Sequence, residues 1–182
     1  DKTGNGNNGL ASGYVERGLV FDGVNDQVTV PDTDELSITG DFTLEAWVKP
    51  TDFNGFNAIV SKVNVIAFPT PYDFYLLSGS GLPNVLVGNG GTFDSATGLV
   101  APTPGQWNHL AVVRSGNTIT HYLNGVPNGT GTITQPTLDG DMPFIIGGRV
   151  EQSIWMRGAL DDVRVWNVAR SQAEINDKYQ DR

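Results

Sequence analysis

The chain has 182 residues, enough for one domain with a core of its own, and a formal charge of −9, which argues against nucleic acid because too few cations are present to displace phosphate counterions. It has no cysteine, which excludes disulfides and thiolate metal sites, and no apolar run near the ~20 residues of a membrane span, so no membrane insertion is expected. Gly at 23 and Pro at 10, with only 17% charged residues, is the mixture used by many short strands joined by tight turns.

Residues 1–13 are polar and Gly/Asn-rich and read as a leading loop, not as a signal segment. Within them Gly4-Asn-Gly-Asn-Asn-Gly9 matches G-x-G-x-x-G, but no strand precedes it and no helical period follows, so the match is accidental. Beyond it the apolar period is two. Phe42, Leu44, Ala46 and Val48 alternate with Thr43, Glu45, Trp47 and Lys49, the pattern of a half-buried strand. Similar runs lie near 19–22, 26–30, 57–62, 72–78, 84–88, 107–114, 117–124, 143–147 and 159–166, with a hairpin closed around Ser115-Gly116. Segments 63–72, 88–106 and 126–142 are expected to be long loops, where binding usually resides. No repeat at a period of 20–50 residues is present.

Near the end, Ala159, Asp161, Val163 and Val165 share one phase of a period-two run, which predicts an aspartate on the apolar face. Ser171 and Glu174 then form an S-x-x-E capping box that opens a short helix. About ten short strands and one terminal helical turn predict an all-β fold, a two-sheet antiparallel sandwich.

Four segments, Gly18-Leu-Val-Phe-Asp-Gly-Val-Asn-Asp-Gln-Val-Thr-Val-Pro31, Phe42-Thr-Leu-Glu-Ala-Trp-Val48, Gly105-Gln-Trp-Asn-His-Leu-Ala-Val-Val-Arg114 and Gly158-Ala-Leu-Asp-Asp-Val-Arg-Val-Trp-Asn-Val-Ala-Arg-Ser-Gln-Ala-Glu-Ile175, resemble the laminin G-like, concanavalin A-like jelly-roll family in its own order. The resemblance spans nearly the whole chain and implies a jelly roll with the F-D-G segment beside the L-D-D-V strand, and so with close termini. It implies a single domain over 1–182, a module of a larger extracellular protein. With no cysteine, a bacterial secreted or cell-surface setting is expected.

Catalysis finds little support. Glycoside hydrolysis takes two carboxylates across the bond, which E-x-D-x-E spacing on a strand would supply, and none of the five glutamates sits in such a run. Asp161 and Asp162 are adjacent and point to opposite faces. His109 and His121 are the two histidines, twelve residues apart in separate strand patterns, with no G-x-S-x-G elbow; His109 in Trp107-Asn-His-Leu-Ala111 matches the family's structural W-x-H-x-A segment. A non-enzymatic role is expected.

Calcium takes six to eight oxygen ligands and suits the Phe21-Asp-Gly-Val-Asn-Asp26 loop. The expected site joins Asp161 to Asp22 and Asp26, with Asp162 as second choice for the inward ligand; the alternative is that Asp22 and Asn25 form Asx turns and Asp161 accepts backbone N–H bonds. The Asp1–Asn7 loop lacks the bidentate Glu of an EF-hand and reads as a turn. Sugars are recognised by loop aromatics stacking on C–H faces, with amides and charges on hydroxyls. Trp155, Tyr72 and Phe93 are the candidates, with Arg149, Glu151 and Gln152 close by Trp155 in sequence; Trp155 can equally pack on a neighbouring sheet, and Trp47, Trp107 and Trp166 read as packing residues. Three functions stand: a calcium-stabilised lectin-like module binding a polysaccharide or glycoprotein glycan, a protein-binding or spacer module contacting neighbouring domains, and, remotely, a glycan-active enzyme.

Overall fold

The computed structural model describes residues 18–63, 71–88, 92–138, 140–149 and 152–180. Two six-stranded antiparallel sheets stack face to face. The first runs β1 (Leu19–Asp22), β14 (Arg157–Trp166), β3 (Phe42–Pro50), β8 (Asn108–Ser115), β9 (Thr118–Leu123), β10 (Val126–Thr132). The second runs β2 (Val28–Val30), β11 (Phe144–Ile146), β4 (Asn57–Lys62), β5 (Tyr72–Leu76), β6 (Pro83–Gly88), β7 (Phe93–Thr97). A two-stranded ribbon, β12 (Gly148–Arg149) with β13 (Ile154–Trp155), precedes β14, and one helix, α1 (Gln172–Gln180), follows it.

The expected pairing of the segment that leads into F-D-G with the L-D-D-V strand is present: β1 pairs β14 with Phe21 opposite Gly158 and Leu19 opposite Leu160. The β8–β9 hairpin also forms, Ser115 facing Thr118, with Gly116 at φ 57° supplying the turn's left-handed conformation. Period-two chemistry builds the core between the sheets. Phe42, Leu44, Ala46 and Val48 of β3, with Leu110 and Val112 of β8, meet Phe74, Leu76, Val85 and Val87 of the second sheet. His121 points into this core, its Nε2–H donating to the Ala96 carbonyl at 2.9 Å, and burial pushes its pKa down to about 4, so it is neutral at physiological pH.

Three expectations change. Segments 88–106 and 126–142 are not continuous loops, since they contain the edge strands β7 and β10. Strand β3 is not half-buried: its outward Thr43, Glu45 and Trp47 are as inaccessible as its inward residues, because α1 and the chain leading to it cover that side. Most consequentially, β14 carries a bulge. Asp161 faces Trp47 and Arg164 faces Glu45, so three residues of β14 span two of β3, and Asp162 takes φ 49°. The extra residue reverses the phase of the alternation. Leu160 before it and Val163 and Val165 after it pack on the core, while Asp161 lies on the other phase, only partly buried. The aspartate predicted for the apolar face is therefore not there.

Candidate functional site

The two outer faces of the sandwich are finished differently. On the first sheet, the capping box starts α1 as expected: the Ser171 N–H donates to Glu174 Oε2 at 2.8 Å and the Glu174 N–H to Ser171 Oγ at 3.4 Å. The helix lays Ile175 on Ala111, Val113 and Tyr122, and Tyr179 stacks on Trp47 with centroids 5.7 Å apart. Beneath it Glu45 receives Arg170 Nη1 at 2.6 Å and has His109 Nε2 at 3.3 Å, all three side chains inaccessible or nearly so. Burial alone raises the Glu45 carboxyl, but His109 and Arg170 more than offset it and hold the group below the usual range. Arg170 also stacks on Trp166, 4.3 Å from its centroid. Trp47 and His109 are thus packing residues, sealed from ligand, and the half-buried Trp166 packs on Arg170.

No described helix covers the second sheet's outer face: the residues of β4, β5 and β6 are buried, but a groove opens beside the exposed side chains of β7. Pairing β5 with β6, and β6 with β7, places Tyr75, Asn84 and Thr97 in one row across the sheet. Hydrogen bonds knit that row: Asn84 Nδ2 donates to the Tyr75 hydroxyl at 2.8 Å, and the Thr97 hydroxyl to Asn84 Oδ1 at 2.6 Å. Phe93, Ser95 and Thr97 share the outward phase of β7, while Asp94, on the inward phase, ties the edge to Thr134 and Gln135 through their backbone N–H groups. The N–H donors hold the Asp94 carboxyl below its ordinary range. With Leu77, Leu86, Arg149 and Gln152 these residues line a groove of about 480 Å³ in which Phe93 is 53% exposed.

Under the groove lies a second buried carboxylate, Asp73. Arg149 Nη1 is 3.0 Å from Asp73 Oδ2, and the guanidinium carbon is 6.0 Å from the Tyr75 ring centroid. Neither Asp73 oxygen accepts an aligned hydrogen bond, and Arg149 Nε is buried without one. Burial outweighs the Arg149 charge and raises the Asp73 pKa to about 7. The same burial, with the Asp73 charge, raises the Tyr75 phenol.

A neighbouring cleft of about 310 Å³ is lined by Trp155, Phe56, Asn57, Asp52, Arg157 and Gln152 among others. The Trp155 ring crosses Gly148 so closely that a Cβ there would lie 2.8 Å from its Cζ3, and the half-buried ring borders the cleft as well. Gln152 lines both recesses, and Phe56 meets Tyr75 edge-on at 5.9 Å, so groove and cleft share a wall.

Of the ligand candidates, then, Phe93, Arg149, Gln152 and Trp155 converge on one surface. Tyr72 does not belong to it: the first residue of β5, it is fully buried, packs on Phe42 and Phe144 and donates its hydroxyl to the Leu36 carbonyl at 2.8 Å. Glu151 lies outside the described residues. Asp73, Tyr75, Asn84 and Phe56 were missed. In Tyr72-Asp-Phe-Tyr-Leu76 the period of two was available to place Asp73 and Tyr75 together, opposite the core-facing Tyr72, Phe74 and Leu76, but Pro69 and Pro71 made the start of the strand resemble loop.

The calcium candidates are not brought together. The ladder sets Asp22 opposite Arg157, four residues before Asp161, or ~13 Å of extended chain. Asp22 Oδ1 accepts the Val24 N–H at 2.8 Å and Asp26 Oδ2 the Asp22 N–H at 2.9 Å, an Asx-type turn. Asp161 Oδ1 accepts the Asp162 N–H at 2.9 Å, and Asp162 pairs with Arg164 at 2.9 Å. Among the described residues no group of three or more His, Asp or Glu is placed to hold a metal ion. The four aspartates do not fit one bridging cation.

A laminin G-type family model, described as the concanavalin A-like lectin/glucanases superfamily, matches residues 22–176. Among solved structures, domain 4 of an extracellular arabinanase from Geobacillus stearothermophilus, in complex with arabinotriose, is 20% identical at TM-score 0.68, covering 92% of this chain and 78% of that one. A heptameric SAP-like pentraxin from Limulus polyphemus is 19% identical at TM-score 0.60, covering 82% and 79%. The binding domain of Paraclostridial Mosquitocidal Protein 1 is 14% identical at TM-score 0.65; 90% of this chain is covered, but it spans only 47% of that longer chain. At these identities the likeness is one of fold. No curated protein matches the chain.

Proposed function

This chain belongs to the concanavalin A-like lectin/glucanase superfamily, and from that premise we propose that it is a non-catalytic lectin-like module whose carbohydrate ligand lies in the groove and cleft on the outer face of the second sheet. One observation carries the reading. An exposed aromatic ring, Phe93, stands at one side of a groove that also presents an amide, hydroxyls and a guanidinium, with Trp155 continuing the surface beyond Gln152. That is the pairing sugars require, an apolar plane for C–H faces and fixed polar groups for hydroxyls.

The groove is poorly equipped for hydrolysis. Asp73 has the raised pKa of a general acid, but it is inaccessible, and no carboxylate is among the described residues that line the groove. In the cleft, Asp52 is engaged by Arg157 at 3.3 Å. A setting outside the cell fits the reading, and no described helix is long and apolar enough to cross a membrane. Binding to an oligosaccharide array, with Phe93→Ala and Trp155→Ala as controls, tests the proposal. Glycan binding lost in both variants supports it. No binding to any member would leave the adhesive or spacer alternative in its place.

A further inference from the structure

Asp73 and Arg149 form an unusual floor. Both side chains are more than nine-tenths inaccessible, yet the pair is only half satisfied: one guanidinium nitrogen sits beside one carboxylate oxygen, and Arg149 Nε and both Asp73 oxygens lack aligned hydrogen bonds. A buried ion pair is costly unless further hydrogen bonds complete it. On the other outer face Glu45 Oε1 takes a 2.6 Å hydrogen bond from Arg170, and although Glu45 Oε2 and the His109 ring nitrogens also lack aligned bonds, that cluster lies under α1 and its leading chain and not beneath a groove. Arg149 lines the groove, whereas Asp73 sits behind it. Only Arg149, then, is within reach of a ligand.

Building on the carbohydrate reading, we propose that Arg149 is the ligand-contacting donor of the groove, that Asp73 is its positioning residue, and that the pair selects neutral sugar hydroxyls over acidic sugars. A hydroxyl accepts from the guanidinium without challenging the carboxylate behind it. A uronate or sulfate would compete for Arg149 and place a second negative charge beside Asp73 on a chain that already carries −9. Phe93 supplies the stacking plane, and the Ser95 and Thr97 hydroxyls on the same wall suit further hydroxyl partners.

The arrangement couples binding to pH. Among the described residues the titratable or charged groups acting on Asp73 are Arg149, from β12, and Tyr75, from its own strand; the facing positions on β4 and β6 are Ser61 and Leu86. When Asp73 is ionised it anchors the guanidinium. When it takes up a proton the anchor is released, and Arg149 loses the orientation that serves the ligand.

The test uses an array of matched neutral and uronic-acid oligosaccharides with the wild type, Arg149→Gln, Asp73→Asn and Phe93→Ala, each checked for cooperative thermal unfolding. Neutral members should bind in preference to their acidic counterparts, with Arg149→Gln weakening them about tenfold, as removing a charged hydrogen-bond donor does. Wild-type affinity for the best neutral member should fall about fivefold from about pH 8 to about pH 6, the worth of one positioned hydrogen bond, and Asp73→Asn should flatten that profile while remaining folded. A preference for acidic members, or a pH profile unchanged in Asp73→Asn, would overturn the inference. So would retention of affinity in Arg149→Gln while Phe93→Ala loses it, an outcome that leaves the carbohydrate reading standing. Absence of any binding would bring down both.

Discussion

The two outer faces of this sandwich begin from the same ingredients and end differently. Each buries a carboxylate beside an arginine and aromatic rings: Glu45 with Arg170, His109 and Trp166 on the first sheet, Asp73 with Arg149 and Tyr75 on the second. On the first, a capped helix closes over the cluster and the carboxyl is held below its usual range. On the second, a groove remains and the carboxyl is raised to about 7. Burial acts on both groups, and the number of partners decides the sign. Both clusters leave buried polar atoms without aligned hydrogen bonds, but the first is covered by a helix, while the second lies beneath a groove with an exposed aromatic, where a ligand can reach its arginine.

The largest expected effect comes from breaking the sealed face. Arg170→Met leaves Glu45 buried beside His109 alone and should lower stability by about 3–5 kcal/mol in urea unfolding, with glycan affinity of the folded fraction unchanged. Loss of affinity without loss of stability would erase the distinction between the faces. Next comes the pH dependence of stability. Asp73 has a folded pKa of about 7, above its unfolded value, so the native state binds the extra proton and stability falls as pH rises between roughly 4 and 7. His121, with a folded pKa of about 4, acts the opposite way: the unfolded state binds the extra proton, and stability is lost as pH falls from about 6.5 towards 4. Asp73→Asn should therefore unmask the His121 slope, and its stability relative to wild type should improve with rising pH by at most ~4 kcal/mol, for a shift of about three pK units. Parallel profiles for the two proteins would contradict this. On the open face, Trp155→Ala should weaken glycan binding about 5- to 150-fold, equivalent to ~1–3 kcal/mol of lost stacking, with little change in Tm. Smaller still, Ser171→Ala removes the N-terminal cap of α1 and should cost about 1 kcal/mol of stability, read by the same urea titration, while sparing affinity.

The fold was legible because its signals are local and repeated. Alternation in β3 and β8, the two-residue turn at Gly116 and Asn117, and the Ser171–Glu174 cap each specify their element without help. The pairing of β1 with β14 was legible only through resemblance, since nothing local links residues so distant in sequence. The site was half legible. Phe93, Arg149, Gln152 and Trp155 were found as residues types set in apparent loops, but a strand that starts immediately after Pro71 put Tyr72 in the core and left Asp73 unnoticed. The calcium expectation rested on phase. One extra residue at Asp162 reverses every side chain after it, and no composition announces a bulge. A chelator comparison sharpens that point, because wild type and Asp161→Asn should respond alike in Tm; a response abolished in Asp161→Asn would restore the bridging ion.

The central claim is that ligand binds the open face and not the sealed one. Amide chemical-shift mapping during titration with the strongest neutral oligosaccharide from the array tests it most directly. The account predicts perturbations concentrated in β6, β7 and residues 148–155, including Phe93, Arg149, Gln152 and Trp155, with β3, β8 and α1 unmoved. Perturbations centred on Trp47, Trp166 and the C-terminal helix, or along β1 at the exposed Leu19 and Val20, would contradict it.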